Sequence, residues 1–188
     1  MSVEAALDLE TTGLLDPDHR IIEVYIGLYR DDKLIWEYDQ RIDPQRGIAA
    51  DASRVHGIVA ADLFGKPTWD EVGPIVHGIL QRADGYVWHN GDDFDGKFLH
   101  QEFVRIGLSG LPPKPAVDTM KQGVWATHDG KSPRLEELCF ACGVPYDQSL
   151  SHEAKYDVDV MMACYLKAKK WGYFEAPHAS DQPIKLAA

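Results

Sequence analysis

Nineteen residues pass before the first lysine or arginine, Arg20. Basic side chains stay scarce beyond it, with 19 Lys and Arg against 30 Asp and Glu and a net charge of −11. That balance excludes a broad basic surface for gripping nucleic acid. It does not exclude an enzyme that handles a few nucleotides through metal ions. Cysteine is sparse too. Three residues, an odd number, do not make a disulfide framework, and a cytoplasmic location is expected. No apolar run approaches the roughly 20 residues of a membrane helix, so no membrane partner is expected. No basic stretch followed by an apolar core opens the chain, so no secretory signal is expected. Internal repeats and low-complexity linkers are absent from the sequence as well.

What is present suits one sizeable core: 188 residues, 45% of them hydrophobic. The first part reads as strands. A strand is expected at about 3–10, and "RIIEVYIGLYR" (20–30) and "KLIWEYDQRI" (33–42) look like antiparallel strands behind it. Residues 44–65 read as loop and short helix. "TWDEVGPIVHGILQRAD" is helical, with Thr68 and Glu71 as a capping box, although Pro74 and Gly78 weaken the pattern. "GYVWH" (85–89) is a short strand, a helix follows at about 93–106, and "LPPKPAV" is an extended connection. "SPRLEELCFACG" is a helix with Ser132 as cap, Pro133 in the first turn and Gly143 as stop. The last helix runs from about Glu153 to Lys170. Strands first, then strands alternating with helices, give a single α/β domain on a mixed sheet with antiparallel first strands, over residues 1–170. Residues 171–188, with Pro177 and Pro183 and no periodicity, form a tail expected to pack irregularly or stay loose.

Acids stand in odd places on this frame. In "AALDLETTG" (5–13), Asp8 and Glu10 share one face of a strand and Leu7 and Leu9 the other. Burying two like charges side by side is costly unless something positive meets them. "HNGDDFDGKFLHQEF" puts Asp92, Asp93 and Asp95 where a strand turns into a helix. Asp157 lies inside the last helix, on the face of Met161, Cys164 and Ala168. Asp8, Glu10, Asp95 and Asp157 are therefore four inward carboxylates. All-oxygen sets suit Mg²⁺ or Mn²⁺, and two such ions would supply the missing positive charge. His152 lies five residues before Asp157, about 140° away on a helix, so it is expected in the loop ahead of it. Histidine is a suitable general base at neutral pH.

These stretches together resemble the DnaQ-like 3′-to-5′ exonucleases, in the histidine subtype of the DEDD nucleases. "LDLETTGL" resembles the first motif and gives Asp8 and Glu10; "HNGDDFDGKFL" resembles the second and gives Asp95; "HEAKYD" resembles the third and gives His152 and Asp157. "RIIEV" and "RVHGI" resemble segments between the motifs. The tyrosine subtype has its tyrosine four residues before the last aspartate, where this chain has Glu153. The resemblance implies a ribonuclease H-like fold and metal-dependent release of nucleotides from nucleic-acid 3′ ends. By resemblance, Asp8 bridges two divalent ions, Glu10 and Asp157 hold the ion carrying the attacking water, and Asp95 supports the other. Thr11, Thr12 and His56 would line the pocket for the 3′-terminal nucleotide, with Phe94 in the same substrate-binding set. A polymerase or a second copy of the chain is a further expected partner class.

Two departures stand out. Leu9 replaces the Thr or Val usual between the first two acids. In the second motif Asp95 is six residues after His89, where the family places the acid five after. The register "FD..FL" favours Asp95 over its rival Asp93, with a kink at Gly91 absorbing the extra residue.

Other features read as structural. Cys139 and Cys142 pack on a helix face, since no second pair follows at zinc spacing. His89 and Asn90 tie a strand end, and Asp118 and Asp92 cap helices. Lys97, Lys155 and Arg105 read as solvated surface more than as phosphate ligands. The leading reading is an exonuclease on single-stranded DNA. An exoribonuclease of the same family and a non-catalytic end-binding module are the alternatives. A glycosidase using a carboxylate pair leaves Asp157 and His152 unexplained.

Overall fold

A computed structural model describes residues 2–177. Five strands, β1 (Val3–Thr11), β2 (Ile21–Arg30), β3 (Lys33–Arg41), β4 (Gly85–Trp88) and β5 (Ala116–Asp118), form one sheet in the order β3-β2-β1-β4-β5. The first three pair antiparallel, and β1/β4 and β4/β5 pair parallel. Six helices accompany them: α1 (Ala50–His56), α2 (Ala60–Leu63), α3 (Trp69–Arg82), α4 (Asp95–Arg105), α5 (Leu135–Cys142) and α6 (Ala154–Lys170). The mixed ribonuclease H-like sheet expected from the sequence is present.

The central strands are buried on both faces while the edge strand β3 is largely exposed, and β1 at the sheet's centre sorts its side chains by alternation. Ala5, Leu7 and Leu9 join Trp69, Val76 and Leu80 of α3 and Phe98, Leu99 and Phe103 of α4 in one core. Ala6 joins Val87, Leu138 of α5, and Val158, Met161 and Tyr165 of α6 in the other. Asp8 and Glu10 continue the Ala6 side, where α6 lies. The three cysteines belong to that second core as free, buried thiols, with Cys164 Sγ 3.6 Å from Cys139 Sγ.

Four local expectations are corrected. The helix over "SPRLEELCFACG" begins at Leu135 with Arg134 as N-cap, two residues past Ser132, because Glu137 accepts from the Arg134 N–H at 2.8 Å. Its stop is as expected: Gly143 is left-handed at φ 61°. The end of the "LPPKPAV" connection becomes strand β5, too short to announce itself. No α-helix starts at Asp118; it caps a turn instead, accepting from Met120 N at 3.0 Å and Lys121 N at 3.2 Å. The left-handed residue of the second motif is Asn90, at φ 68°, and not Gly91. Gly91 is required for space, since a Cβ there would lie 2.1 Å from the Trp88 ring.

The tail begins by packing. Tyr173 stacks on Trp125 with centroids 4.4 Å apart, and Phe174 is buried in the second core. Residues 178–188, including Pro183, lie outside the described residues.

Candidate active site

The C-terminal half of β1 runs into a cavity of about 870 Å³, walled by α1 and by the first turns of α4, α5 and α6. Asp8, Glu10, Asp95 and Asp157 all line it, as do His152, His56, Thr11 and Phe94. Four carboxylates from three separate stretches of chain thus meet at one place.

Their chemistry is that of crowded, poorly hydrated acids. Burial pushes Glu10 up to about 9, and the charges of Asp157, Glu23 and Asp95 push the same way. Asp8 is raised well above the ordinary range by burial, then by Asp95, Glu10 and Asp157. Asp95, only 2% exposed, is pushed up to about 7 by burial, offset in part by backbone N–H groups including that of Leu9. Asp157 is raised by burial as well, and the His152 N–H, 3.0 Å from its Oδ2, opposes this. Glu23, opposite Glu10 in the β1/β2 register, has a counter-ion of its own in Arg41 at 2.8 Å. The four cavity acids have no such partner.

Two oxygens of this set, Asp95 Oδ1 and Asp157 Oδ1, are buried without a hydrogen-bond partner. Orphaned carboxylate oxygens beside further carboxylates fit a hard divalent cation. Among the described residues no group of three or more His, Cys, Asp or Glu side chains stands close enough together to hold a metal ion as it is. A cation would have to draw the acids together against their mutual repulsion.

Asp118 sets the entry to α4. Buried at 1% exposure, it accepts from Asn90 N at 3.0 Å and Asp92 N at 3.2 Å, besides its own turn. This clamp pins the left-handed Asn90 and fixes where Asp95 enters the cavity. The rival Asp93 points elsewhere: Lys121 and Lys97 bind it at 2.7 and 2.9 Å and hold it down at about 2. Asp92 accepts from the Trp88 indole at 2.9 Å. His89 and Asn90 border the cavity but are tied structurally, His89 through Thr119 Oγ1 at 2.9 Å.

On the opposite wall, His56 Nδ1 accepts from Ile58 N at 3.0 Å. Its Nε2 is therefore the protonated nitrogen, donating to the Thr11 carbonyl at 3.2 Å. Thr12 does not line the cavity, contrary to expectation. It is fully buried, and its hydroxyl accepts from Arg20 N at 2.9 Å and bonds His19 Nδ1 at 3.0 Å. Its place on the wall is taken by Gly13 and His19, whose ring covers Gly13 so closely that a Cβ there would lie 2.3 Å away. His152 is exposed at the mouth, with a left-handed backbone at φ 65°. Lys97, Lys155 and Arg105 stand outside the cavity, paired with Asp93, Glu37 and Glu102. A second cavity of about 730 Å³, lined by Arg20, Arg46, Arg105 and Glu102, contains none of the four acids.

Known proteins share this arrangement of chain and sheet. The profile of the RNase_T family, described as exonuclease, matches residues 5–165. The DNA polymerase III subunit epsilon of Treponema pallidum is 30% identical over 187 residues, covering 96% of this chain and 84% of that protein. The PolC-type DNA polymerase III of Halalkalibacterium halodurans is 30% identical over 154 residues, 81% of this chain but 10% of the polymerase. The epsilon subunit of Pasteurella multocida is 28% identical over 170 residues, 87% of this chain and 66% of that one. The chain thus spans only part of several relatives. The zinc-bound E. coli exonuclease I–ssDNA complex shares the fold, with a TM-score of 0.80 and 18% identity over 91% of this chain and 41% of that one.

Proposed function

The chain belongs to the RNase_T exonuclease family, and from that premise we propose that it releases nucleoside 5′-monophosphates from the 3′ ends of single-stranded DNA. The observation that carries the reading is the meeting of Asp8, Glu10, Asp95 and Asp157 in one cavity, two of them with orphaned buried oxygens. These four residues would hold two divalent cations, Mg²⁺ or Mn²⁺. Bound there, such ions would stabilise both the attacking and the leaving oxygen of a phosphodiester displacement. Asp95 supplies its charge from the rigid start of α4, held by the Asp118 clamp.

His152 takes the proton of the attacking water. Its backbone N–H is fixed to Asp157 Oδ2, so the imidazole swings beside that carboxylate while staying open to solvent. Thr11, His56 and Phe94 line the wall against which the terminal nucleotide packs. The locked His56 Nε2–H keeps the Thr11 carbonyl occupied, and that strand end stays rigid as a nucleotide enters. DNA as substrate is supported by the relatives, which are DNA polymerase III components. A polymerase partner follows from the same likeness. No helix among the described residues is long and apolar enough to cross a membrane.

The test is nucleotide release from matched 3′-labelled single-stranded DNA, duplex DNA and RNA, in Mg²⁺ or Mn²⁺ and in EDTA. Release from single-stranded DNA that EDTA abolishes is expected. No release from any substrate with either ion would refute the reading.

A further inference from the structure

Six acids line the cavity, namely Asp8, Glu10, Asp51, Asp95, Glu136 and Asp157, against one Lys or Arg among the described lining residues, Arg134. A DNA strand is a polyanion, so this cation invites a role. Arg134 sits on the rim, its side chain 72% exposed, whereas Asp95 and Glu10 are 2% and 8% exposed. It therefore meets a part of the strand outside the floor.

We propose that Arg134 holds a backbone phosphate of the substrate strand upstream of the scissile one. The inference rests on the exonuclease reading above. The backbone of Arg134 is fixed as the N-cap of α5, its N–H donating to Glu137 Oε2 at 2.8 Å. Its guanidinium is free to turn. The guanidinium pairs with Glu136 Oε1 at 2.9 Å and more distantly with Glu137 at 3.8 Å. Glu137 has a second counter-ion, Lys131 at 2.9 Å, so it loses little when Arg134 leaves. Glu136 is the nearer competitor, across a solvent-accessible pair of the weak kind. A phosphodiester accepts two parallel N–H bonds from a guanidinium, as a carboxylate does, and can compete for it across so weak a pair. Two arginines of the second cavity are committed instead: Arg105 binds buried Glu102 at 2.9 Å, and Arg20 lies 3.8 Å from it while donating to the Pro17 and His19 carbonyls.

The experiment compares wild type with Arg134→Gln, Arg134→Lys and Glu136→Gln on an octathymidylate and on the p-nitrophenyl ester of thymidine 5′-monophosphate. The ester carries the scissile phosphate and no upstream one. For the oligonucleotide, Arg134→Gln should raise KM by roughly 2- to 5-fold with little change in kcat. The slope of log KM against log salt should shrink by about 0.7, one single-strand phosphate contact. Arg134→Lys should retain most of that slope, and Glu136→Gln should lower KM. Hydrolysis of the ester should shift by less than about twofold. An unchanged KM and salt slope in Arg134→Gln would overturn the proposal, as would an equal loss on ester and oligonucleotide. A wild type inactive on both substrates would instead overturn the functional reading, and this inference with it.

Discussion

The two faces of β1 use the same strand for opposite ends. On one face Leu7 and Leu9 disappear into the core under α3 and α4, at 1% and 4% exposure. One residue along, Asp8 and Glu10 face α6 and gather carboxylates that burial and mutual repulsion push far from their ordinary range. The leucine face stabilises the fold, each buried side chain contributing about 1.5–3 kcal/mol. The acid face works against the fold, and under the proposed reading a bound cation would relieve it. Function here occupies the positions where stability is sacrificed, and the neighbouring positions make up for it.

The sharpest way to break this comparison is to remove the acids one at a time. Asp8→Ala, Asp157→Ala and Asp95→Asn should each abolish turnover while the protein stays folded. Asp93→Asn should cost little, because Asp93 serves only Lys97 and Lys121 on the surface. Steady-state rates at saturating Mg²⁺ decide it: a dead Asp93→Asn beside an active Asp95→Asn would reverse the assignment. His152→Ala comes next, with kcat lowered by about 10²–10⁴-fold, the usual worth of a general base. Binding of Mn²⁺ should change little in that variant, and a rate equal to wild type across pH 6 to 9 would place the base elsewhere.

The leucine face should answer in the other currency. Leu7→Ala removes a fully packed side chain and should cost about 2–5 kcal/mol of stability, measured by urea unfolding, with the rate per folded molecule nearly kept. A further effect comes from pH. Glu10 and Asp95 have folded values of about 9 and about 7, raised above ordinary carboxylates. A raised acid contributes stability that is complete below its unfolded pKa, near 4–4.5, and is lost as pH climbs through the folded value. In EDTA the melting temperature should therefore fall between pH 5 and pH 9, and fall less in Glu10→Gln.

Much of this was legible in the sequence because it depends on short-range periodicity. Alternation put Asp8 and Glu10 opposite Leu7 and Leu9, and helical spacing turned Asp157 inward. Phe94, Phe98 and Leu99 held the register that favours Asp95 over Asp93. What was hidden depends on contacts between distant segments. Asp118 becomes a clamp because β5 lies beside β4, a pairing three residues long. The Ser-Pro signal at 132–133 misled because the Arg134 N–H finds Glu137 and the helix starts there. Thr12 follows Thr11 in the motif, yet the sheet turns its hydroxyl toward Arg20 and His19, away from the cavity. Arg134 is distinguished only by what else lines the same cavity. No local pattern marks it.

The proposed function requires the acid face of β1 to be a divalent-cation site. Thermal unfolding of wild type and Asp8→Asn at pH 7.5, in EDTA and across a Mn²⁺ titration, tests it directly. Wild type should gain several degrees as Mn²⁺ saturates. Asp8→Asn should start at or above the wild-type value in EDTA and respond weakly to the ion. A wild type indifferent to Mn²⁺, or an Asp8→Asn variant that gains as much as wild type, would contradict the claim.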